Sequence, residues 1–276
     1  VLGRDAIFAA NKLKLVCIAA TGYNNIDLVA AAERNIAVCN VRGYATQSVT
    51  QHVFMLMLAL TTHFVDYQHL VKRGGWQASR FFCRLDYPIE ELSGRTLGII
   101  GYGELGRSVA RVAEVFGMRV LIAEHKGVAD ASVRAGRTTF DSVLAQADFI
   151  SLHCPLFPDT TNLIGEREFA LMRPSACLIN TARGGLVDET ALLQSLQREQ
   201  IAGAAIDVLQ KEPPEADHPL LAYPRSNLII TPHVAWASRS ARQRVLELVA
   251  ENIDNFQHGR DFNQITDALK DGTCRN

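Results

Sequence analysis

Three absences bound this chain before any motif is read. Net charge is nearly absent: 28 Lys and Arg stand against 29 Asp and Glu in 276 residues, a formal charge of −1. No overall electrostatic pull toward nucleic acid or an anionic membrane is therefore expected. Paired cysteine motifs are also absent. Cys17, Cys39, Cys83, Cys154, Cys177 and Cys274 form no CxxC and no ligand-like spacing with histidine. They read as reduced core thiols of an intracellular protein, with no metal site. Long oily runs are missing too. The longest, "VFMLMLAL", is interrupted by Thr61, Thr62 and His63, far short of the ~20 residues that cross a bilayer. No secretory pattern opens the sequence, and a cytoplasmic location without membrane or nucleic-acid partners is the expectation.

What is present is an ordinary globular composition, 48% hydrophobic and 21% charged, long enough for one large domain or two medium ones. "KLVCIAA" and "IAVCN" read as strands around a helical "IDLVAAAER", and a single long helix is predicted from about Gln47 to Arg73, ended by Gly74-Gly75. "WQASRFFCRLDYPIEELSG" has no clear periodicity and reads as a connector. From Leu97 onward, short apolar runs alternate with amphipathic stretches such as "GRSVARVAEVF" and "DETALLQSLQRE". This alternation predicts an α/β fold with a doubly wound parallel sheet. "SRSARQRVLELVAENIDNFQHG" is a terminal helix with Gly259 as its stop.

The six apolar runs end at chemically pointed residues: Gly101, Glu124, His153-Cys154-Pro155, Thr181-Ala182-Arg183, Asp207 and His233. Ligands of open parallel sheets sit outside the carboxyl ends of the strands, so these residues are expected along one crevice. The first run opens into Gly101, Gly103 and Gly106, a GxGxxG that on its own describes only a tight turn. Its context is stronger: a strand before it, a helix after it, and an acid closing the next strand. Gly101 permits the turn, Gly103 lets the backbone approach a pyrophosphate, and Gly106 lets helix pack on strand. A dinucleotide site is predicted. Glu124 is expected to accept from the adenosine ribose hydroxyls and to repel a 2′-phosphate, favouring NAD over NADP, with His125 and Lys126 partly offsetting that repulsion.

"NTARGGLVDE" sets Arg183 just past a buried strand, where a guanidinium fork can grip a carboxylate and carbonyl together, or merely decorate a loop. Asp188 is placed to cap the helix that follows. His233 in "TPHVAW" follows a strand, and Glu212 in "KEPP" has the look of a solvated turn. A lone histidine is more often structural than catalytic. A carboxylate beside an imidazole, however, orients the ring and favours its protonated form, which makes a general acid.

Seven stretches in order, "ATGYNNIDL", "NVRGYATQSVTQHV", "LSGRTLGIIGYGELGR", "SLHCPLFPDTTNLIG", "LINTARGGLVDE", "AAIDVLQKEPP" and "NLIITPHVAWAS", resemble the D-isomer-specific 2-hydroxyacid dehydrogenase family along nearly the whole chain. "ATGYNN" and "HVAWAS" are most similar to its glycerate dehydrogenases, also called hydroxypyruvate reductases. The resemblance implies NAD(H)-dependent interconversion of a small 2-oxo acid and a D-2-hydroxy acid. It implies Arg183 as the substrate grip, Glu212 as the imidazole's partner and His233 as the acid/base. Asp207 would hold the carboxamide side of the nicotinamide. Thr181, Ala182, Pro155 and the Glu104-Leu105 backbone would line the cofactor, and backbone around Thr21 and Gly22 would meet the substrate carboxylate. His52 fits helix packing, and Trp236 would border the pocket or a subunit contact. A homodimer formed through the cofactor domain is implied as well.

The implied domains are residues 1–50, a smaller flavodoxin-like substrate domain; 51–250, a Rossmann-type NAD-binding domain; and 251–276, a return to the first. Family members carry a further strand-helix-strand portion before the equivalent of "KLKLVCIAATG", so the substrate domain is expected to be incomplete at its N-terminal side. Competing readings are another substrate (phosphoglycerate, for which Arg42 is the one obvious basic candidate, or lactate) and a non-catalytic NAD-sensing module.

Overall fold

The structure is a computed structural model that describes residues 1–23 and 25–266; the expected return segment beyond 266, with Cys274, lies outside them. The chain divides into two units, one of residues 1–45 with 236–276, the other of 46–235. In the smaller unit, α1 (Arg4–Ala9), β1 (Leu15–Cys17), α2 (Leu28–Glu33) and β2 (Ala37–Cys39) follow one another. β1 and β2 pair in parallel. Asp27 caps α2 by accepting from the Ala30 N–H, and Ile7, Ala30, Ala31 and Val38 form the buried centre.

The larger unit opens with α3 (Thr46–Thr61) and α4 (Phe64–Lys72). The sequence predicts one helix here, and the structure corrects this to two, bent by 64° at the break. The Thr61 and Thr62 hydroxyls turn back onto the Met57 and Leu58 carbonyls, a habit that loosens helices. His63 then takes a left-handed φ of 49°, and its ring meets Asp66 in the first turn of α4.

There follow β3 (Thr96–Ile100), α5 (Glu104–Val115), β4 (Arg119–Ile122), α6 (Phe140–Gln146), β5 (Phe149–Leu152), α7 (Glu166–Leu171), β6 (Cys177–Asn180), α8 (Glu189–Gln197), β7 (Gly203–Ile206) and β8 (Leu228–Ile230). Asp188 caps α8 through the Thr190 and Ala191 N–H groups. The six strands form one parallel sheet in the order β4-β3-β5-β6-β7-β8. Outside β4, Ala123 forms an isolated parallel bridge with Thr138. The chain builds outward from β3 on one side, then returns to build from β5 on the other. The crevice therefore opens between β3 and β5, the place where such sheets bind ligands. Strands β3, β5, β6 and β7 are buried throughout, as expected of a sheet covered on both faces.

Helix α9 (Arg239–Gln257) starts at the Ser238 cap and stops before Gly259, whose φ is 63°. It belongs to the smaller unit, where the Cys17 thiol reaches the Val249 carbonyl and Arg244 donates to the Tyr44 carbonyl. The second crossing between units thus falls at Ala235/Trp236, earlier than the position 250 read from the sequence. No single helix among the described residues is long and apolar enough to cross a membrane.

Candidate active site

Because all six strands run parallel, the residues that follow them share one rim. At the end of β3, Gly101 has a φ of 94°, and a Cβ there would lie 2.5 Å from the Cys154 backbone nitrogen. Only glycine fits. A Cβ on Gly106 would lie 2.1 Å from the Gly101 carbonyl oxygen, whereas one on Gly103 would meet nothing within 4 Å. The turn is thus closed toward the protein at two glycines and open outward at the third. Gly103 is also the residue before α5, and no side chain caps that helix start, at Glu104, Leu105 and Gly106. A helix N-terminus left open in this way suits an anion such as a pyrophosphate. The Glu104 carboxylate itself is turned to the Thr46 hydroxyl.

One strand over, Glu124 is only 3% exposed, and its two oxygens are already engaged. His125 N–H donates to Oε1 at 2.9 Å, Arg134 Nε to Oε2 at 2.7 Å and the Arg134 backbone N–H to Oε2 at 3.2 Å; Arg134 Nη2 closes on Oε1. The Arg134 guanidinium, helped by these backbone donors, holds the carboxyl well below the usual carboxylate range. A ribose hydroxyl, the partner expected from the sequence, would have to compete with them.

On the other side of the crevice, the end of β5 places His153 with Nε2 2.9 Å from the Ser151 hydroxyl and Nδ1 buried without a partner. Burial pulls its pKa down to about 4. The native ring is therefore neutral at pH values where an unfolded histidine, near 6.5, already takes up a proton. Stability is expected to fall as pH drops from about 6.5 toward 4, by up to about 1.4 kcal/mol per unit. Urea titrations at pH 7, 5.5 and 4.5 check this: the slope should shrink in His153→Gln. Pro155 follows, exposed.

After β6 come Thr181, Ala182 and Arg183. The Thr181 hydroxyl is buried with no partner. The Asn180 side chain ties the loop, accepting from the Ala182 N–H and donating to the Arg183 carbonyl, while Arg183 Nη1 donates to the Ala182 carbonyl. Gly184 sits so close to the next loop that a Cβ would lie 2.0 Å from the Leu209 carbonyl carbon. That contact matters because the Leu209 N–H, in turn, holds Glu212 Oε1 at 2.9 Å. The arginine loop and the glutamate loop are thereby pressed together through backbone.

β7 and β8 supply the remainder. Asp207 is buried and accepts from Val234 N–H, Ala235 N–H and the Thr231 hydroxyl. The His233 N–H donates to the Asp207 carbonyl at 2.8 Å. So tethered, His233 adopts a φ of 54°, a left-handed conformation for which His is among the more tolerant residues, and its Nδ1 lies 2.6 Å from Glu212 Oε2. Sequence alone could not separate Glu212 from a solvated turn residue; the structure pairs it with His233. Arg183 stands two strands away from His233 along the rim. With neighbouring strands ~4.8 Å apart, the two loops start on the order of 10 Å from each other, a span that an arginine side chain and a small acid can fill.

Two residues were not singled out for function by the sequence pattern. His52, read as a packing position in α3, brings Nε2 to 3.0 Å from the Thr231 hydroxyl and 3.5 Å from Asp207; burial lowers its pKa, against the pull of Asp207. Arg134 lies on an aperiodic loop and gives no local signal. In the smaller unit, the Thr21 hydroxyl donates to the Val41 carbonyl and the Thr21 carbonyl accepts from Asn40, with Gly22 in the same loop. Trp236 packs edge-on to Tyr44, ring centres 6.3 Å apart.

A parallel sheet with an open glycine turn at its switch point and a histidine–glutamate pair on the same rim defines a dinucleotide-dependent oxidoreductase. A model of the NAD-binding domain of D-isomer specific 2-hydroxyacid dehydrogenases matches residues 54–235, and the chain belongs to that family. It is 46% identical to the glycerate dehydrogenase of Methylorubrum extorquens, over 95% of this chain and 81% of the relative. It is 35% identical to the hydroxypyruvate reductase of Blautia hydrogenotrophica, over 95% and 81%. Among solved structures, the D-lactate dehydrogenase of Aquifex aeolicus complexed with NAD and lactic acid is similar with a TM-score of 0.82 and 30% identity, covering 94% of this chain and 80% of that one.

Proposed function

We propose that this chain reduces hydroxypyruvate to D-glycerate, and glyoxylate to glycolate, with NADH. The observation that carries the reading is the Glu212–His233 pair at 2.6 Å, set on the same rim as Arg183 and the open Gly103 turn. Bound NADH would supply the hydride. Glu212 fixes the imidazole by its Nδ1, which leaves Nε2 to donate the proton to the oxygen at C2. Arg183 grips the carboxylate and carbonyl and stabilises the negative charge that builds on that oxygen. Thr181, Ala182, Pro155 and Asp207 line the nicotinamide end, and Thr21 and Gly22 offer backbone to the substrate carboxylate. NADH oxidation followed by absorbance with hydroxypyruvate, glyoxylate and pyruvate tests the reading. Hydroxypyruvate should give the highest kcat/KM. Silence with every 2-oxo acid alongside tight NADH binding would replace the enzyme with a cofactor sensor.

The working unit in this reading is a cytoplasmic homodimer. The connector after α4 exposes Phe81, Phe82 and Leu85 at 77%, 91% and 83%. α3, the start of α4 and α5 add a groove of about 710 Å³ walled by Phe54, Met55, Leu58, Phe64 and Val112. Exposed apolar groups of this kind mark an interface, and a second copy, implied by the family resemblance, is the occupant. Light scattering should give twice the chain mass, and Phe82→Asp with Leu85→Asp should halve it. A single-chain mass for the unaltered protein would refute the dimer.

A further inference from the structure

Helix α3 carries two polar side chains one turn apart, Ser48 and His52, that reach the loop bearing His233. Residues four apart lie on one face of a helix. The Ser48 hydroxyl donates to the Ala235 carbonyl at 2.7 Å, and His52 Nε2 lies 3.0 Å from the Thr231 hydroxyl oxygen. The helix therefore holds the segment 231–235 at both ends, with His233 between them.

Counting hydrogens fixes the direction of the second contact. A hydroxyl has one hydrogen, and that of Thr231 goes to Asp207 Oδ1. The Thr231 oxygen is left to accept, so His52 must donate to it from Nε2. Burial lowers the His52 pKa; the neutral ring has a single N–H, and this geometry sets it on Nε2. The ring is 3.5 Å from Asp207 Oδ1, too far for a good direct bond, and meets the carboxylate through the hydroxyl. Asp207 in turn takes the Val234 N–H on Oδ1 and the Ala235 N–H on Oδ2.

We propose that His52 is a positioning residue for proton transfer: through Thr231 it aims the Asp207 carboxylate, which holds the backbone beside His233 and so places the imidazole. The inference rests on the reading of His233 as the proton donor. The main chain leaves this task to side chains. The Thr231 N–H is bound to the Ile206 carbonyl, and the Thr231 carbonyl accepts from the His233 N–H, both at 3.0 Å. What remains to be set at Thr231 is the direction of its hydroxyl hydrogen. Without a donor at position 52, the Thr231 oxygen loses its partner and the hydrogen is free to turn from Asp207. His233 sits in the loop that this hydrogen steadies, and misplacing a proton donor costs rate before it costs binding.

Steady-state reduction of hydroxypyruvate by NADH, in the full chain, tests the inference. His52→Leu keeps the bulk without the donor. It should lower kcat by about 3- to 10-fold, the worth of one neutral hydrogen bond, and leave the KM for hydroxypyruvate and the Kd for NADH within about twofold. His52→Gln, whose amide N–H reaches toward the same oxygen, should bring kcat back to within about twofold of the unaltered protein. Thr231→Val should lose at least as much as His52→Leu, and the double variant no more than Thr231→Val alone, because one residue acts through the other. A measurement on the unaltered protein stands beside these: nitrogen NMR near neutral pH should find the His52 proton on Nε2. Unchanged kcat in His52→Leu, no rescue by glutamine, losses that multiply in the double variant, or a proton on Nδ1 would each overturn the inference while leaving the reductase standing. A chain that turns over no 2-oxo acid would overturn both.

Discussion

His233→Gln is expected to lower kcat for hydroxypyruvate reduction by about 10²- to 10⁴-fold, the usual contribution of a placed general acid, with little change in the Kd for NADH. The loss should be specific because the loop is fixed by other groups. The His233 backbone N–H, not its ring, bonds the Asp207 carbonyl, and Asp207 holds Val234 and Ala235 by their N–H groups. The φ of 54° at this position calls for a control, since glutamine adopts it less readily than asparagine. His233→Asn keeps the backbone at ease and removes the same proton. Both variants should therefore fail alike in kcat and bind NADH alike by fluorescence titration. Normal turnover in either would remove His233 from the chemistry.

Arg183→Ala is the second large effect. The fork is asked to grip ground-state substrate and to meet the charge that develops at C2. KM should therefore rise and kcat fall together, with kcat/KM down by about 10³-fold or more. Arg183→Lys, with the charge but without the planar fork, should recover only a small part. The loop itself should survive, because Asn180 bonds the Arg183 carbonyl and the Ala182 N–H rather than the guanidinium. If the alanine variant changed NADH affinity alone, the arginine would belong to the cofactor and not to the acid.

The alternation of apolar runs and amphipathic stretches made the sheet legible, because strands buried on both faces must be continuously apolar. The rim was legible for the same reason: a polar residue that ends such a run has nowhere to go but the carboxyl edge. What escaped the sequence was set by contacts rather than periodicity. The bend between α3 and α4 depends on the left-handed φ of His63 and on two threonine hydroxyls that turn back onto the helix, and neither is visible in the apolar spacing. Helix α9 is plainly amphipathic, but its pattern does not say which sheet it covers, so the boundary at Ala235/Trp236 came from the fold. Glu212 looked like a turn residue until Leu209 and His233 claimed its two oxygens. His52 sat in an apolar helix and read as packing, and Arg134 paired with Glu124 from a loop that carries no pattern at all.

The anchoring of Glu212 has a kinetic corollary. One oxygen is held by the Leu209 amide and the other faces the ring, so in the proposed mechanism the carboxylate would keep its place as the imidazole gives up its proton or regains it. The ring would then meet the same partner in the same place at both ends of a turnover. Recharging the acid between cycles would require a proton from solvent but no rearrangement of the polypeptide around it.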